Sequence, residues 1–161
     1  MPYELQAKSA TRDLWVMSRF PGEPELGPFL MADGSDVYEL VADGEVERVG
    51  FIPRFVHHNR GRRVGDLLWA TGADVKLASR RFIDVLETIE ATGYRTFPVR
   101  VEMRDGSSVG DFVGLAVLDS NESHDLYFTH GHQSFVFTAS DRVVDALRQA
   151  GVTDLDITAV N

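Results

Sequence analysis

The chain contains no cysteine. That absence excludes disulfides, cysteine-ligated zinc, iron–sulfur clusters and thiol catalysis together. Long apolar runs are also missing. Stretches such as Gly114-Leu-Ala-Val-Leu118 fall well short of the ~18–20 residues that cross a bilayer as a helix. The opening residues, Met1-Pro-Tyr-Glu-Leu-Gln6, lack the basic start and apolar stretch of an export signal. A soluble, cytoplasmic protein is the expectation. Positive charge is in short supply too: 16 Lys and Arg face 25 Asp and Glu, giving a net charge of −9. Sequence-independent affinity for nucleic acid comes mainly from Lys and Arg that displace counterions, so a nucleic-acid partner is not expected, nor is a membrane.

What remains is a chain of 161 residues with ordinary globular composition, long enough for one domain and a core of its own. Residues 1–60 read as a turn-rich β region. Pro21-Gly22, Pro24 and Gly27-Pro28 mark a loop, and Asp33-Gly34 and Asp43-Gly44 mark turns. Between them Ser35–Ala42 is rich in β-formers and Glu45–Val49 alternates charge with valine, which suggests a meander or hairpin. Gly65-Asp-Leu-Leu-Trp-Ala70 suggests one or two helical turns.

Further along, the periodicity sharpens. Ser79 caps a helix whose apolar face is Phe82, Ile83, Leu86 and Ile89, with Gly93 placed to end it in a left-handed conformation. From Phe97, alternate residues Val99, Val101 and Met103 share one face of a strand, with Pro98 marking an edge or bulge. Asp105-Gly106 turns the chain, so 94–118 reads as an antiparallel hairpin. Ser140 opens a second helix with Val143, Val144, Leu147 and Ala150 inward, Gly151 at its end, and Leu155–Val160 as a closing strand. Phe135–Thr138 leads in.

The two helices are similar. Ala78-Ser-Arg-Arg-Phe-Ile-Asp-Val-Leu86 aligns without gaps on Ala139-Ser-Asp-Arg-Val-Val-Asp-Ala-Leu147, with identical residues at five of the nine positions. Two copies are too few for a solenoid, so they are expected side by side on one sheet. The fold expected is a single α+β domain over 1–161, with a mainly antiparallel or mixed sheet and two similar capped amphipathic helices. Segments 65–104 and 133–160 are its related helix–strand units.

Chemical motifs are sparse. Gly106-Ser-Ser-Val-Gly110 is a literal G-x-S-x-G, but that motif needs a strand-to-helix elbow, and a β-like segment follows Ser108. Ser108 is expected in a hairpin turn. His130-Gly-His132 places two imidazoles at i and i+2 on one side of an extended segment, and His57, His58 or His124 could add a third ligand. No H-e-x-x-H spacing accompanies them, so solvent-exposed or hydrogen-bonded histidines are the default, and no cofactor is expected. Arg54, Arg60, Arg62 and Arg63 form the one dense basic stretch, matched to a solvated loop, an anion site or a partner contact. Carboxylate pairs such as Glu23/Glu25, Glu45/Glu47 and Asp154/Asp156 are common in an acidic chain and signal little alone.

One resemblance joins these parts. The segment Gly65-Asp-Leu-Leu-Trp-Ala-Thr-Gly-Ala-Asp-Val-Lys-Leu-Ala-Ser-Arg-Arg-Phe82, then Leu86, Gly93 and the strand Tyr94–Val101, resembles bacterial immunity-protein domains. These protect a cell from a cognate polymorphic toxin. A second Ser-x-Arg helix near the C-terminus belongs to the same pattern, and Ser140, Arg142, Leu147, Gly151 and Leu155–Val160 fill that role. The N-terminal third has no counterpart in the pattern. The resemblance implies a non-enzymatic protein that binds a toxin stoichiometrically, with no catalytic residues. The competing expectation is a small-ligand-binding or metal-dependent enzyme domain using the His130/His132 region.

Overall fold

A computed structural model describes residues 1–71 and 74–160. Gly72 and Ala73, within the first segment of the resemblance, and the terminal Asn161 lie outside the described residues.

The main sheet is mixed and has seven strands. In chain order they are β2 (Trp15–Ser18), β3 (Arg54–His57), β4 (Leu67–Thr71), β5 (Lys76–Ser79), β6 (Tyr94–Pro98), β7 (Arg100–Glu102) and β8 (Phe112–Val117). Their spatial order is β6-β8-β5-β4-β2-β3-β7, with β2–β4 and β3–β7 parallel and the remaining pairs antiparallel. The two outermost strands, β6 and β7, are separated in sequence by Val99 alone, so the sheet is nearly closed on itself. A second, antiparallel sheet has the order β11-β1-β10-β9, from β1 (Tyr3–Gln6), β9 (Leu126–Tyr127), β10 (Phe137–Ala139) and β11 (Asp156–Ala159). Among the described residues four helices complete the α+β domain: α1 (Val37–Ala42), α2 (Val46–Val49), α3 (Arg80–Thr88) and α4 (Asp141–Gln149).

Strand β8 is buried at all six positions because it serves two cores. Val113, Leu115 and Val117 face the core beneath α3 and α4, among Leu5, Phe82, Ile83, Leu86, Phe137, Val143 and Leu147. Phe112 and Ala116 face the other core, with Val16, Val41, Phe55, Phe97 and Val101. This is the two-residue period of a strand, with apolar side chains on both faces. Gly114 belongs to the second face, where a Cβ would lie 2.2 Å from the Phe97 ring.

Several expectations hold. Helices α3 and α4 form where the periodicity placed them, and β6 pairs with β8 from Tyr94↔Val117 to Pro98↔Val113. Pro98 ends an edge strand, where its missing amide proton leaves no ladder position empty. Others are corrected. Residues 35–49 contain no hairpin. Asp36 caps α1 by accepting from the backbone N–H groups of Tyr38 and Glu39, and Val37, Leu40 and Val41 turn inward at i, i+3 and i+4. Val46 and Val49 of α2 do the same at i and i+3, so helical packing overrides the β preference of these valines. The turn-rich β region 1–60 thus carries two short helices among its strands.

Residues 67–71 form a strand rather than helical turns. Leu67 faces one core and Leu68 and Ala70 the other, and a continuous apolar run does not distinguish a doubly buried strand from a helix. Helix α3 first turns left-handed at Glu90, at φ +53°; Gly93, three residues further on, also has a positive φ of +94° but does not cap the helix. Ala91 donates its N–H to the Leu86 carbonyl, as Val152 does to Leu147 after α4. Gly93 is needed for a different reason: a Cβ there would stand 2.2 Å from the Leu126 carbonyl oxygen. Ala150 is exposed and Ile89 only half-buried, so each inward face is shorter than expected.

Candidate functional site

The Ser and Arg residues shared by the two helix openings are brought together with two buried aspartates. In the first unit Ser79 Oγ donates to Asp66 Oδ1 at 2.7 Å, while Arg81 Nε and Nη2 donate to the two carboxylate oxygens at 2.6 and 2.8 Å. In the second, Ser140 Oγ donates to Asp125 Oδ1 at 2.8 Å, and Arg142 Nε and Nη2 bind the same carboxylate at 2.9 and 2.7 Å. These are bidentate, charge-assisted forks. Asp66 is 2% exposed and Asp125 8%, so each carboxylate depends on these donors. The Arg142 guanidinium, with help from Ser140 and the Thr92 amide, holds the Asp125 carboxyl down at about 2 against the desolvation that opposes it. The backbone repeats the arrangement, for Ser79 N–H donates to the Asp66 carbonyl and Ser140 N–H to the Asp125 carbonyl.

The histidines disperse. Residues 129–134 turn rather than extend, with Gly131 at φ +113° and Gln133 at φ +56°. His130 Nε2 meets Glu4 Oε1 at 2.8 Å and His132 Nε2 meets Asp43 Oδ1 at 2.7 Å, so the two imidazoles serve different carboxylates. His57 is buried, with Nε2 2.7 Å from the Gly61 carbonyl oxygen. His58 is exposed, and His124 lies 4.0 Å from Asp119. Among the described residues no three histidine or acidic side chains group to hold a metal ion.

Ser108 sits in the exposed turn between β7 and β8, where its hydroxyl bonds within the turn to the Gly110 N–H and carbonyl. Two arginines of the basic stretch are matched to the protein's own acids, while Arg60 and Arg62 have no carboxylate within 4.0 Å among the described residues. Arg54 pairs with Glu102, and Arg63 bridges Asp13 at 3.1 Å and Asp154 at 2.6 Å. Of the carboxylate pairs, Glu23 accepts hydroxyls from Ser18 and Tyr38, while Asp154 serves Arg63 and Lys8.

Two features escaped sequence reasoning. Lys76, 3% exposed, donates to Gln133 Oε1 and the Ser134 carbonyl, both at 3.1 Å, with its ammonium 5.1 Å from the Phe128 ring centre. Burial brings this lysine down to about 8, opposed by the Asp74 and Asp43 carboxylates. Gln133 in turn donates to Asp43 at 2.6 Å, tying the 129–134 turn to the end of α1. The positive φ of Gln133 belongs to this network.

The second feature is an open groove of about 730 Å³ lined by Met17–Pro21, Glu23–Glu25, Tyr38, Ile52, Arg54 and Arg100. Phe20 and Tyr38 line it with ring centres 6.0 Å apart, and behind them the Phe20 ring packs 5.3 Å from Phe51 and 5.6 Å from Phe55. The Tyr38 hydroxyl donates to Glu23 Oε2 at 2.8 Å, and burial together with that carboxylate pushes the phenol up to about 12. The Pro21–Pro28 loop was the one readable sign of the groove, because its remaining walls come from distant parts of the chain.

The chain matches no protein-family model, and no curated protein matches it in sequence.

Proposed function

We propose that this chain is an immunity-type protein that binds a cognate bacterial toxin in the cytoplasm and neutralises it by stoichiometric contact, with no chemistry of its own. One observation carries the reading. The residues that define the two Ser-x-Arg helix openings, Ser79, Arg81, Ser140 and Arg142, are all engaged by Asp66 and Asp125. The part of the chain that bears the resemblance therefore acts as a frame, and function falls to surface complementarity. The net charge of −9 suits a basic partner, since opposite fields speed encounter.

The test is to look for a toxin-like polypeptide encoded beside this chain and to co-express the two. Protected growth and a 1:1 complex of the purified proteins are the expected result, with affinity falling as salt rises from 50 to ~500 mM. Unprotected growth with no complex overturns the reading. Protection at far below one chain per toxin also overturns it, because that would require turnover.

A further inference from the structure

The turn between β9 and β10 is fastened differently from the rest of the protein. Among the described residues, no backbone-to-backbone hydrogen bond joins 129–136 to the chain outside it. Ser134 N–H donates to the Gly131 carbonyl and Val136 N–H to Ser134 Oγ, both within the turn. Side chains do the fastening. Thr129 meets Thr138, His130 meets Glu4, and His132 and Gln133 both meet Asp43. Gln133 Nε2 also reaches the Val117 carbonyl at 3.4 Å, and the Phe135 ring stacks on Trp69 with centres 4.3 Å apart. Both imidazoles are more than half exposed, so their pairs hold weakly. Gln133 is buried, at a positive φ that its Cβ disfavours, so its hydrogen bonds keep the turn closed against local strain.

Lys76 is enclosed by this same turn. Its ammonium donates to Gln133 Oε1 and the Ser134 carbonyl and lies over the Phe128 ring, so these compensating groups all come from 128–134 and all are neutral. No carboxylate stands within 4.0 Å of it among the described residues. Asp43 and Asp74 attract it from farther away, and His132 packs on the same Phe128 ring. Strands β4 and β8, which flank β5, carry no charged residue. A cation enclosed with neutral acceptors is less well solvated than in water, so raising the turn would hydrate it.

We propose that residues 129–136 are a strap that lifts as a unit from its two strand ends while the rest of the fold stays closed, and that the charge on Lys76 sets how readily it lifts. The ammonium favours the open strap, where water solvates it, and the free amine favours the closed one. Closed, Lys76 gives up its proton at about pH 8; open, it does so near the ordinary 10.5. Opening is therefore easiest below pH 8 and becomes about tenfold harder with each pH unit between 8 and 10.5. It uncovers the Lys76 amine and the face of Trp69 on which Phe135 stacks. None of this depends on the partner-binding function.

The experiment is limited chymotrypsin digestion of the native chain, with cleavage after Phe135 followed by mass spectrometry from about pH 7.5 to 9.5. Each rate is divided by that of a free peptide spanning 129–140, which removes the pH dependence of the protease. The corrected wild-type rate is expected to fall about tenfold or more across that range, before any cut after Phe82 or Leu86 in α3. Lys76→Met should abolish the fall, and His130→Gln/His132→Gln, which removes the strap's own titratable groups, should retain it. Gln133→Gly keeps the backbone conformation of the turn and loses its side-chain ties, so it should be cut several-fold faster at the lower pH. A pH-independent corrected rate in wild type, or the same fall in Lys76→Met, overturns the coupling to Lys76. Cleavage after Phe135 that comes together with or later than cuts in α3 overturns the strap, because the whole domain is then opening. If Lys76→Met does not fold, the wild-type profile and Gln133→Gly decide, and an unchanged rate in Gln133→Gly also overturns the proposal.

Discussion

Asp66 and Asp125 occupy equivalent places ahead of the two helix openings, and each is completed by the chain that follows the other helix. Asp66 Oδ2 accepts the N–H of Asp154, which follows α4, at 3.1 Å, whereas Asp125 Oδ2 accepts the N–H of Thr92, which follows α3, at 2.9 Å. The backbone groups reciprocate: Asp66 N–H donates to the Asp154 carbonyl, and Leu126 N–H to that of Thr92. Each carboxylate therefore locks its own helix opening and anchors the exit of the other helix.

Asp66→Ala and Asp125→Ala should each cost about 2–3 kcal/mol, because each removes a buried acceptor shared by a serine hydroxyl, an arginine fork and a backbone N–H, while the half-exposed guanidiniums regain water. Ser79→Ala should cost only about 1 kcal/mol, as the loss of a cap with the fork retained. Urea denaturation checks both. A cost for Asp125→Ala no larger than that of Ser79→Ala would count against the cross-linking role.

Acid should act through Asp125. Its carboxyl is held at about 2 in the folded protein, below the ordinary value of 3.8, so the unfolded chain binds protons more readily. The stability it contributes is complete above about pH 4 and fades as pH falls toward 2. Asp125→Asn should be less stable at neutral pH and lose less further stability across that window, as read by melting temperature at a series of pH values.

Lys76 should have the opposite signature at the alkaline end. Burial lowers it from 10.5 to about 8, so above pH 8 the folded state gives up its proton while the unfolded state keeps it. Stability from this group should rise between about pH 8 and 10.5. Lys76→Met should flatten that rise. An unchanged slope would mean that the ammonium is better solvated than its burial implies.

Backbone conformation supplies a stabilising substitution. Glu90 holds φ +53° at the position where the other unit has Gly151 at φ +73°. Glu90→Gly should gain a few tenths to about 1 kcal/mol, since glycine takes that conformation without a Cβ penalty. Gly114→Ala should do the reverse, costing about 1–3 kcal/mol or more against the Phe97 ring, and Phe97→Leu should recover part of the loss in a double-mutant cycle.

Helices α3 and α4 and the β6–β8 pair were legible because each is long enough to show its period and has turn residues at its ends. Helices α1 and α2, of six and four residues, were not. Two valines at i and i+3 are too few to reveal a helix when their composition favours strands. The aspartate clips lay partly in view. Asp66-Leu67 and Asp125-Leu126 are the same dipeptide placed 13 and 15 residues before Ser79 and Ser140, which open the two helices, but only folding shows that these carboxylates reach Ser and Arg. The groove was hidden most completely. Arg19, Tyr38, Ile52 and Arg100 come from four separate segments and share no pattern.

Val99 alone separates the first and last strands of the seven-stranded sheet. Pro98 and Arg100 are two residue steps apart, at most ~7 Å, so the chain itself holds the two rims together at that end, like the clasp of a bracelet. A strand from another molecule needs a long, accessible rim on which to add. Here one rim ends in Pro98, and the other is a three-residue strand that begins just past the clasp. Tethered in this way, the sheet leaves little template for fibre growth.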